Sequence, residues 1–364
     1  MLVYQGSGVA TYTFNAAKAL LTYDHKNKYV FFYASLRRPH HFTYLKELKT
    51  LGAKIVEVPI PTRLLRLVWN RFHLFPVEWF IGKVDIYFSS DYLRPPLLPS
   101  TKGIATVHDM IWFKFPQFHT RDIVKIHARK MEKLLKYQDT ILVDSVNSQR
   151  DLLKLYPVIS ASKIHVIYPG VDDRFSPKSA TAVKNVLTKY SLPLSPYLIY
   201  IGAIEPRKNL DKAIKIFSDL IKNKSYSNFN FIIAGRAGWK NEHIHKLVYT
   251  LQLTDKVLFP GFIEENDISA LYSGAKVCIY LSEYEGFGLP PLEAAKCDTP
   301  TLLYSHSSLK ELFPKNYPYT TIGRELATLI NLIESGRQLP LISYADKFSW
   351  ELFTKKFVKI ISEI

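Results

Sequence analysis

Residues 276–300 read KVCIYLSEYEGFGLPPLEAAKCDTP. The stretch opens on an apolar run of strand length, the pattern of a strand buried on both faces. A Gly-Phe-Gly turn follows at Gly286–Gly288, then paired prolines at Pro290 and Pro291. Proline suits a helix start, where a missing N–H is no loss. Strand, glycine turn and helix in succession make one βα unit of a parallel sheet. Ligands of such sheets bind beyond the carboxyl ends of the strands, so Ser282–Leu289 is expected to border a ligand. Three carboxylates, Glu283, Glu285 and Glu293, surround that turn.

The same alternation runs through the chain. In the first half the strand-like runs are KYVFFY (28–33), AKIVEV (53–58), VDIYF (84–88), GIATV (103–107) and TILV (140–143). The second half has PYLIYIG (196–202), NFNFIIAG (228–235), KVLFPG (256–261), KVCIYL (276–281) and TPTLLY (299–304). Helical patterns separate them. Two such sets predict an α/β chain with two doubly wound, Rossmann-like domains. The boundary is read at YPGVDDRFSP, Tyr168–Pro177, which is rich in turn formers and has no periodicity. The expected domains are 1–170 and 171–345. Residues 346–364 form a final amphipathic helix with Trp350, Phe353, Phe357, Ile360 and Ile361 on one side, able to pack on either domain. The glycine loop Gly6-Ser7-Gly8 follows only MLVY, so the usual first strand is either missing or replaced by another segment.

Composition narrows the class. The chain has 364 residues and is 47% hydrophobic, a globular composition long enough for two domains. The two cysteines, Cys278 and Cys297, offer no disulfide framework and no zinc spacing, which points to a reduced, cytoplasmic protein. No apolar run reaches the length of a membrane span, and the N-terminus is not a signal peptide. Residues 1–170 hold 24 Lys and Arg against 12 Asp and Glu, net +12, whereas the remainder is net +4. A basic first half attracts anionic partners such as acidic lipid, or reflects solubility alone. RLLRLVWNRFHLF (63–75) interleaves Arg63, Arg66 and Arg71 with apolar side chains, as an interfacial helix or an amphipathic core helix would. No nucleic-acid recognition motif is visible, and nucleic acid is not expected as a partner.

The candidate chemistry lies at strand ends. The helix after the glycine turn would present free N–H groups to a phosphate. Glu293, placed in its first turn, would accept hydrogen bonds from vicinal ribose hydroxyls, or simply cap the helix. Glu285 would accept from a sugar hydroxyl or stabilise positive charge on a reacting sugar carbon, or sit solvated. After PYLIYIG, Gly202 ends the strand, Asn209 or Asp211 starts a helix, and Arg207 and Lys208 between them suit a diphosphate clamp or are surface cations. In the first half, His108 and Asp109 follow the strand GIATV; the histidine could donate to a sugar or phosphate, or be structural. Gly6 and Gly8 form a weak GxG before a helical pattern.

Taken together these residues resemble the retaining glycosyltransferases of family 4, of the group 1 type and mannosyltransferase-like, over nearly the whole chain. The E-x7-E pair is Glu285 and Glu293, and further matches lie at GSGVATYT, VHD, VNSQRDL, IHVIYPGVDDRF, GAIEPRKNL and AGRAGW. The resemblance implies the GT-B fold, two facing Rossmann-like domains with a cleft between them. It implies a nucleotide diphosphate sugar as donor, with GDP-mannose the first guess, and no cofactor or metal. Arg207 and Lys208 would hold the diphosphate and Glu293 the ribose. Glu285, with the backbone of Phe287, Gly288 and Leu289, would hold the sugar and phosphates. His108 would contact the sugar, and Gly6, Gly8 and Gly202 would border the donor. The acceptor would be a glycan or a lipid-linked sugar, with a peripheral membrane contact through the basic N-terminal domain at the inner face of the membrane. Front-face attack is implied, and whether Glu285 ever acts as a covalent nucleophile is open. The chain departs from the pattern at Asp298, where glycine is usual, and at Leu281, where proline is usual. A sugar-nucleotide epimerase and a non-catalytic nucleotide-sugar-binding protein are the competing readings.

Overall fold

A computed structural model of the chain describes residues 8–36, 43–90, 93–236 and 242–364. The chain folds as two compact units, one of Met1–Gly170 with Phe348–Ile364 and one of Val171–Lys347.

In the first unit β1 (Val30–Ala34) and β2 (Lys54–Val58) pair in parallel as a two-stranded sheet. A separate four-stranded parallel sheet runs in the order β3 (Ile86–Ser89), β4 (Lys102–Val107), β5 (Thr140–Val143) and β6 (Ile164–Val166). β5 is buried along its whole length, which accounts for its apolar run Ile141–Val143 after Thr140. β6 has no such signal, because His165 interrupts a strand of only three residues. No described strand joins the two sheets, and the residues before Gly8 lie outside the described part.

The helix Gly8–Tyr23 packs against the final helix, Trp350–Glu363, within this unit. Tyr12, Ala16, Ala19 and Leu20 meet Trp350, Phe353, Phe357 and Ile360 in one buried cluster, with Ile361 partly buried at its edge. The alanines bring the helices close enough for the aromatic side chains to interlock. The chain turns into position at Gly170, where a Cβ would stand 2.2 Å from the backbone nitrogen of Trp350.

The second unit is a five-stranded parallel sheet. From β7 (Tyr197–Ile201) the sheet extends on one side through β8 (Asn230–Ala234) and β9 (Val257–Gly261), and on the other through β10 (Val277–Ile279) and β11 (Thr301–Leu302), all strands parallel. The spatial order is therefore β11-β10-β7-β8-β9. β7 and β10 are neighbours although about eighty residues apart, and the strand order reverses between them. Such a reversal sends the two following helices to opposite faces and leaves the loop ends free to hold a ligand. The helix Leu210–Ile221 shows how the sheet is covered: Leu210, Ala213, Ile214, Phe217 and Leu220 fall on one helical face, and all are buried.

The helix after β10 runs Leu289–Lys296, with Gly288 as its N-cap at φ +104°. A Cβ at Gly288 would also stand 2.8 Å from Leu309 Cδ2, so glycine is required there twice over. This start corrects the placement of Glu293. It is the fifth residue of the helix, in the second turn, and no acidic residue occupies the first turn. Helix capping therefore does not explain Glu293.

The helix ends at Cys297, and Asp298 follows at φ +59°. That left-handed position is why glycine is usual there, and aspartate tolerates it at some strain. The Asp298 carboxylate lies 3.7 Å from Arg337, a long pair between partly exposed side chains, so little is lost by removing it. Asp298→Gly should therefore stabilise the second unit by about 1 kcal/mol and raise its melting temperature by about 2–4 °C. Calorimetry on both proteins checks this, and a variant that melts at or below wild type would show that the cap carries no strain.

Candidate active site

Arg207 and Lys208 occupy a short 3-10 turn, Pro206–Lys208, in the loop that leaves β7. Asn209 follows at φ +52° as the N-cap of the next helix, and its Nδ2 donates to the Leu281 carbonyl at 3.0 Å. The loop that leaves β10 carries Glu285. Because β7 and β10 are adjacent, the two loops meet and are stitched by backbone. Glu283 N donates to the Arg207 carbonyl at 2.9 Å, and Arg207 Nη1 reaches the Tyr284 carbonyl at 3.3 Å.

Glu285 is 7% exposed and is shared by both cations. Its Oε2 accepts from Arg207 Nη1 at 2.9 Å, and its Oε1 accepts from Lys208 Nζ and, at 3.0 Å, from the Tyr280 hydroxyl. Lys208 Nζ also donates to the Tyr280 oxygen at 2.8 Å and stands over that ring. Arg207 Nη2 pairs with Glu205 at 2.7 Å. Burial works to raise the Glu285 pKa, but the Arg207 and Lys208 charges outweigh it and hold the carboxyl down at about 2. Burial and the neighbouring Arg207 lower the Lys208 pKa in spite of Glu285. The asymmetry has a simple cause: one carboxylate faces two cations, while each cation faces a shared carboxylate and a like charge. Glu285 is therefore ionised near neutral pH and cannot serve there as a proton donor.

Glu293 has the opposite character. Burial pushes its pKa up to about 7, and the Asp172 and Glu265 carboxylates push the same way against the pull of Arg174. Arg174 itself is bound to Glu265 at 2.5 Å and lies 3.9 Å from Asp172. Glu293 is only partly shielded from solvent. A partly buried carboxyl outside the helix's first turn and poised near neutrality is the profile of a ligand-binding group rather than of a cap.

The remaining donor-side candidates are backbone positions. Gly202 closes β7 at φ +156° and abuts Gly235 at the end of β8, where a Cβ would lie 2.0 Å from the Gly202 carbonyl oxygen. Phe287 is 5% exposed and anchors its turn from below, so only its backbone is placed to face a ligand. Ser308 Oγ holds that turn through the carbonyls of Glu285 and Phe287, at 2.9 and 2.8 Å. Leu289 is the first residue of the helix. Pro290 and Pro291 remove two of its first N–H groups, which concentrates any anion contact on the amides around Gly288 and Leu289.

His108 belongs to the first unit and follows β4. Its Nδ1 lies 2.6 Å from Asp144 Oδ2 and its Nε2 lies 3.0 Å from the Ser90 carbonyl. Burial lowers its pKa, but the charge and hydrogen bond of Asp144 outweigh this and leave it raised. Two acceptors on two ring nitrogens favour the doubly protonated ring. Both nitrogens are thus already engaged, and the ring edge is held against Tyr12 at 4.7 Å. Gly8 is the first residue of its helix and has open space where a Cβ would be, and Gly6 lies outside the described residues.

Reading the sequence alone missed Tyr280, Glu205, Ser308, Asp144 and the Asp172–Arg174–Glu265 group. Tyr280 was hidden inside an apolar strand run. Asp144 follows TILV at a strand end, as His108 follows GIATV, and that shared placement was the available signal.

Residues 191–335 match the family described as Glycosyl transferases group 1, and residues 6–175 match Glycosyltransferase Family 4. O-antigen chain mannosyltransferase RfbU of Salmonella typhimurium is 30% identical over 277 residues, covering 72% of this chain and 70% of that protein. O-antigen chain mannosyltransferase B of Escherichia coli is 29% identical over 229 residues, covering 62% of this chain; the match spans 58% of that relative's length. Among solved structures, Anabaena HepE, crystallised with UDP and glucose, superposes with a TM-score of 0.72 at 14% identity, covering 99% of this chain and 97% of HepE.

Removing the shared carboxylate leaves two cations together at a buried site. Glu285→Ala should destabilise the second unit by about 3–5 kcal/mol, and adding Lys208→Met should recover a good part of that loss. Urea unfolding of both variants tests the coupling. Additive effects would mean that Glu285 and Lys208 do not share a charge.

Proposed function

We propose that this chain, which belongs to glycosyltransferase family 4 and has the GT-B fold, transfers a sugar from a nucleotide diphosphate sugar to a glycan acceptor in polysaccharide synthesis. The observation that carries this is the Arg207–Lys208–Glu285 cluster where the strand order reverses between β7 and β10. That is where a doubly wound sheet binds its ligand, and the cluster holds two cations beside a glycine turn and a helix start.

Departure of the nucleotide breaks the bond between the anomeric carbon and a phosphate oxygen, and the electron pair leaves on the diphosphate. Arg207 and Lys208 are fixed in advance where that charge develops, which lowers the barrier without reorganisation and gives the diphosphate its counter-charge in place of a metal. Glu285 stays ionised and holds both cations in register, with its negative charge available to an electron-poor sugar carbon. It has no proton to give near pH 7, so the acceptor hydroxyl passes its proton to the leaving phosphate oxygen. Attack then comes from the face that the phosphate leaves, and the anomeric configuration is retained. Glu293 accepts from the ribose hydroxyls. The backbone at Gly202, Phe287, Gly288 and Leu289 borders the phosphates and sugar.

The names of the relatives support mannose as the sugar and GDP-mannose as the first donor to try. We further propose that the enzyme works at the cytoplasmic face of a membrane, on an acceptor carried by lipid. No described helix is long and apolar enough to cross a membrane, and the net charge of +12 on residues 1–170 suits an acidic lipid surface.

Thermal-shift titration with GDP-mannose, UDP-glucose, UDP-GlcNAc, GDP and UDP tests the donor site. A true donor at a hundredfold excess over its Kd stabilises by about 2.7 kcal/mol, and Glu293→Ala should abolish that gain. No response from well-folded protein to any of the five would count against a nucleotide-sugar site. A donor that binds but is never turned over with any acceptor would favour a binding protein, and a changed sugar without acceptor would favour an epimerase.

Glu293 also sets a pH dependence. With its pKa at about 7, it is mostly protonated at pH 6 and mostly ionised at pH 8. Only the ionised form can accept from both ribose hydroxyls, so donor affinity should rise about tenfold from pH 6 to pH 8. A nucleotide diphosphate sugar has no phosphate group titrating in that range. Calorimetry in two buffers should show proton release on binding, and Glu293→Gln should flatten the profile. A flat profile in wild type would remove Glu293 from the ribose site.

A further inference from the structure

We infer that Thr62–Trp79 is a docking surface for an anionic bilayer. The segment is a five-residue α-helix, Thr62–Arg66, running into a six-residue π-helix, Leu67–Phe72. Its underside is fixed: Leu65, Trp69 and Val77 are buried in one cluster. Trp69 Nε1 donates to the Phe75 carbonyl at 3.1 Å, and Lys133 Nζ ties down the carbonyls of Trp69 and Asn70 at 2.6 and 2.7 Å. Its outer side is apolar and bare. Leu64, Leu67, Phe72, Leu74, Phe75 and Trp79 are all exposed, Trp79 by 67% and Phe72 by 57%.

The backbone is bent to produce this. His73 and Phe75 both adopt positive φ, at +54° and +63°. For a residue as bulky as phenylalanine that conformation is strained, and with the π-helix it aims large side chains at water that ordinary helix geometry would turn inward. An apolar patch of this density on a water-facing surface calls for a partner.

The charges identify it. Arg63, Arg66 and Arg71 are exposed around the patch, and none forms an ion pair among the described residues. The segment has one carboxylate, Glu78, and it is buried with its Oε1 bound to Leu98 N at 3.1 Å. The exposed side is therefore apolar and cationic, with no anion. A second copy of this chain would set arginines against arginines, and a neutral apolar partner would leave them unmatched. Anionic headgroups over an acyl boundary satisfy both features at once: arginines pair with phosphates while leucine and aromatic side chains enter the interface. Bringing a lipid-carried acceptor to the enzyme is the use of this surface under the transferase function proposed above; its binding to lipid stands without it.

The test is co-sedimentation of the full chain with vesicles of phosphatidylcholine alone and with about one-third phosphatidylglycerol, at low and high salt. Wild type should bind the anionic vesicles, release them as salt rises, and bind neutral ones far more weakly. Arg63→Ala/Arg66→Ala/Arg71→Ala should weaken binding by about a hundredfold. Phe72→Ser/Trp79→Ser should weaken it independently while the melting temperature is unchanged. Absent wild-type binding, equal binding to both vesicles, or full binding by either variant would overturn the inference. A dimer seen by light scattering and abolished by Phe72→Ser/Trp79→Ser, without vesicle binding, would overturn it in favour of self-association. The same preparations, tested for donor-dependent stabilisation, separate the two ideas: vesicle binding without a donor response leaves the surface standing and removes the transferase reading.

Discussion

One buried carboxylate shared by two cations holds the second unit's loops in place. Without Glu285, Arg207 and Lys208 would repel each other at a position where water cannot screen them. With it, the loop after β7 and the loop after β10 become a single rigid edge, reinforced by the Glu283–Arg207 backbone bond and by Ser308 beneath the glycine turn. The reversal of strand order puts these loops side by side, and the ion cluster keeps them there. With Glu205 on the far side of Arg207, the two cations and two carboxylates of the cluster sum to roughly zero charge. Under the proposed donor role, a diphosphate would meet cations already positioned but not uncompensated.

The two glutamates of the E-x7-E pair show how environment separates identical side chains. Burial favours the proton on both, but at Glu285 two cations outweigh it and drive ionisation, whereas at Glu293 burial, helped by the Asp172 and Glu265 carboxylates, outweighs the pull of Arg174 and holds the proton. Their spacing in sequence says nothing of this. The difference arises because Glu285 lies in the turn and Glu293 in the second turn of the helix, where Asp172, Arg174 and Glu265 come together from elsewhere in the chain.

Much of the fold was legible because the strands are buried on both faces. YLIYI, FIIA and ILV are the apolar stretches within PYLIYIG, NFNFIIAG and TILV, and each lies in a strand. β6 was not legible, since three residues broken by His165 have no periodicity to detect. The positions of Arg207, Lys208 and Glu285 at strand ends were readable from the local pattern. Their meeting was not, because it depends on β7 and β10 being neighbours, a property of sheet order. Tyr280 was missed for a related reason: it lies in a buried apolar run, and that its hydroxyl and ring face meet the ion cluster shows only in three dimensions. The departure at Asp298 was seen in sequence but not explained until its left-handed backbone was.

The segment 63–75 shows why two opposed readings of one sequence can both contain truth. Its apolar side chains fit an amphipathic core helix, and Leu65 and Trp69 do enter the core. Its interleaved arginines fit an interfacial helix, and Leu64, Leu67 and Phe72 do face outward. A regular α-helix of this sequence would divide its residues into one buried and one exposed stripe. Widening the turn after Arg66 and adding positive φ at His73 and Phe75 breaks that division, so that successive large side chains fall outside the buried stripe. Lys133 makes this tolerable by binding the carbonyls at Trp69 and Asn70. Irregular backbone of this kind persists only where the surroundings hold it, and here they hold it from below and leave the upper side to its partner.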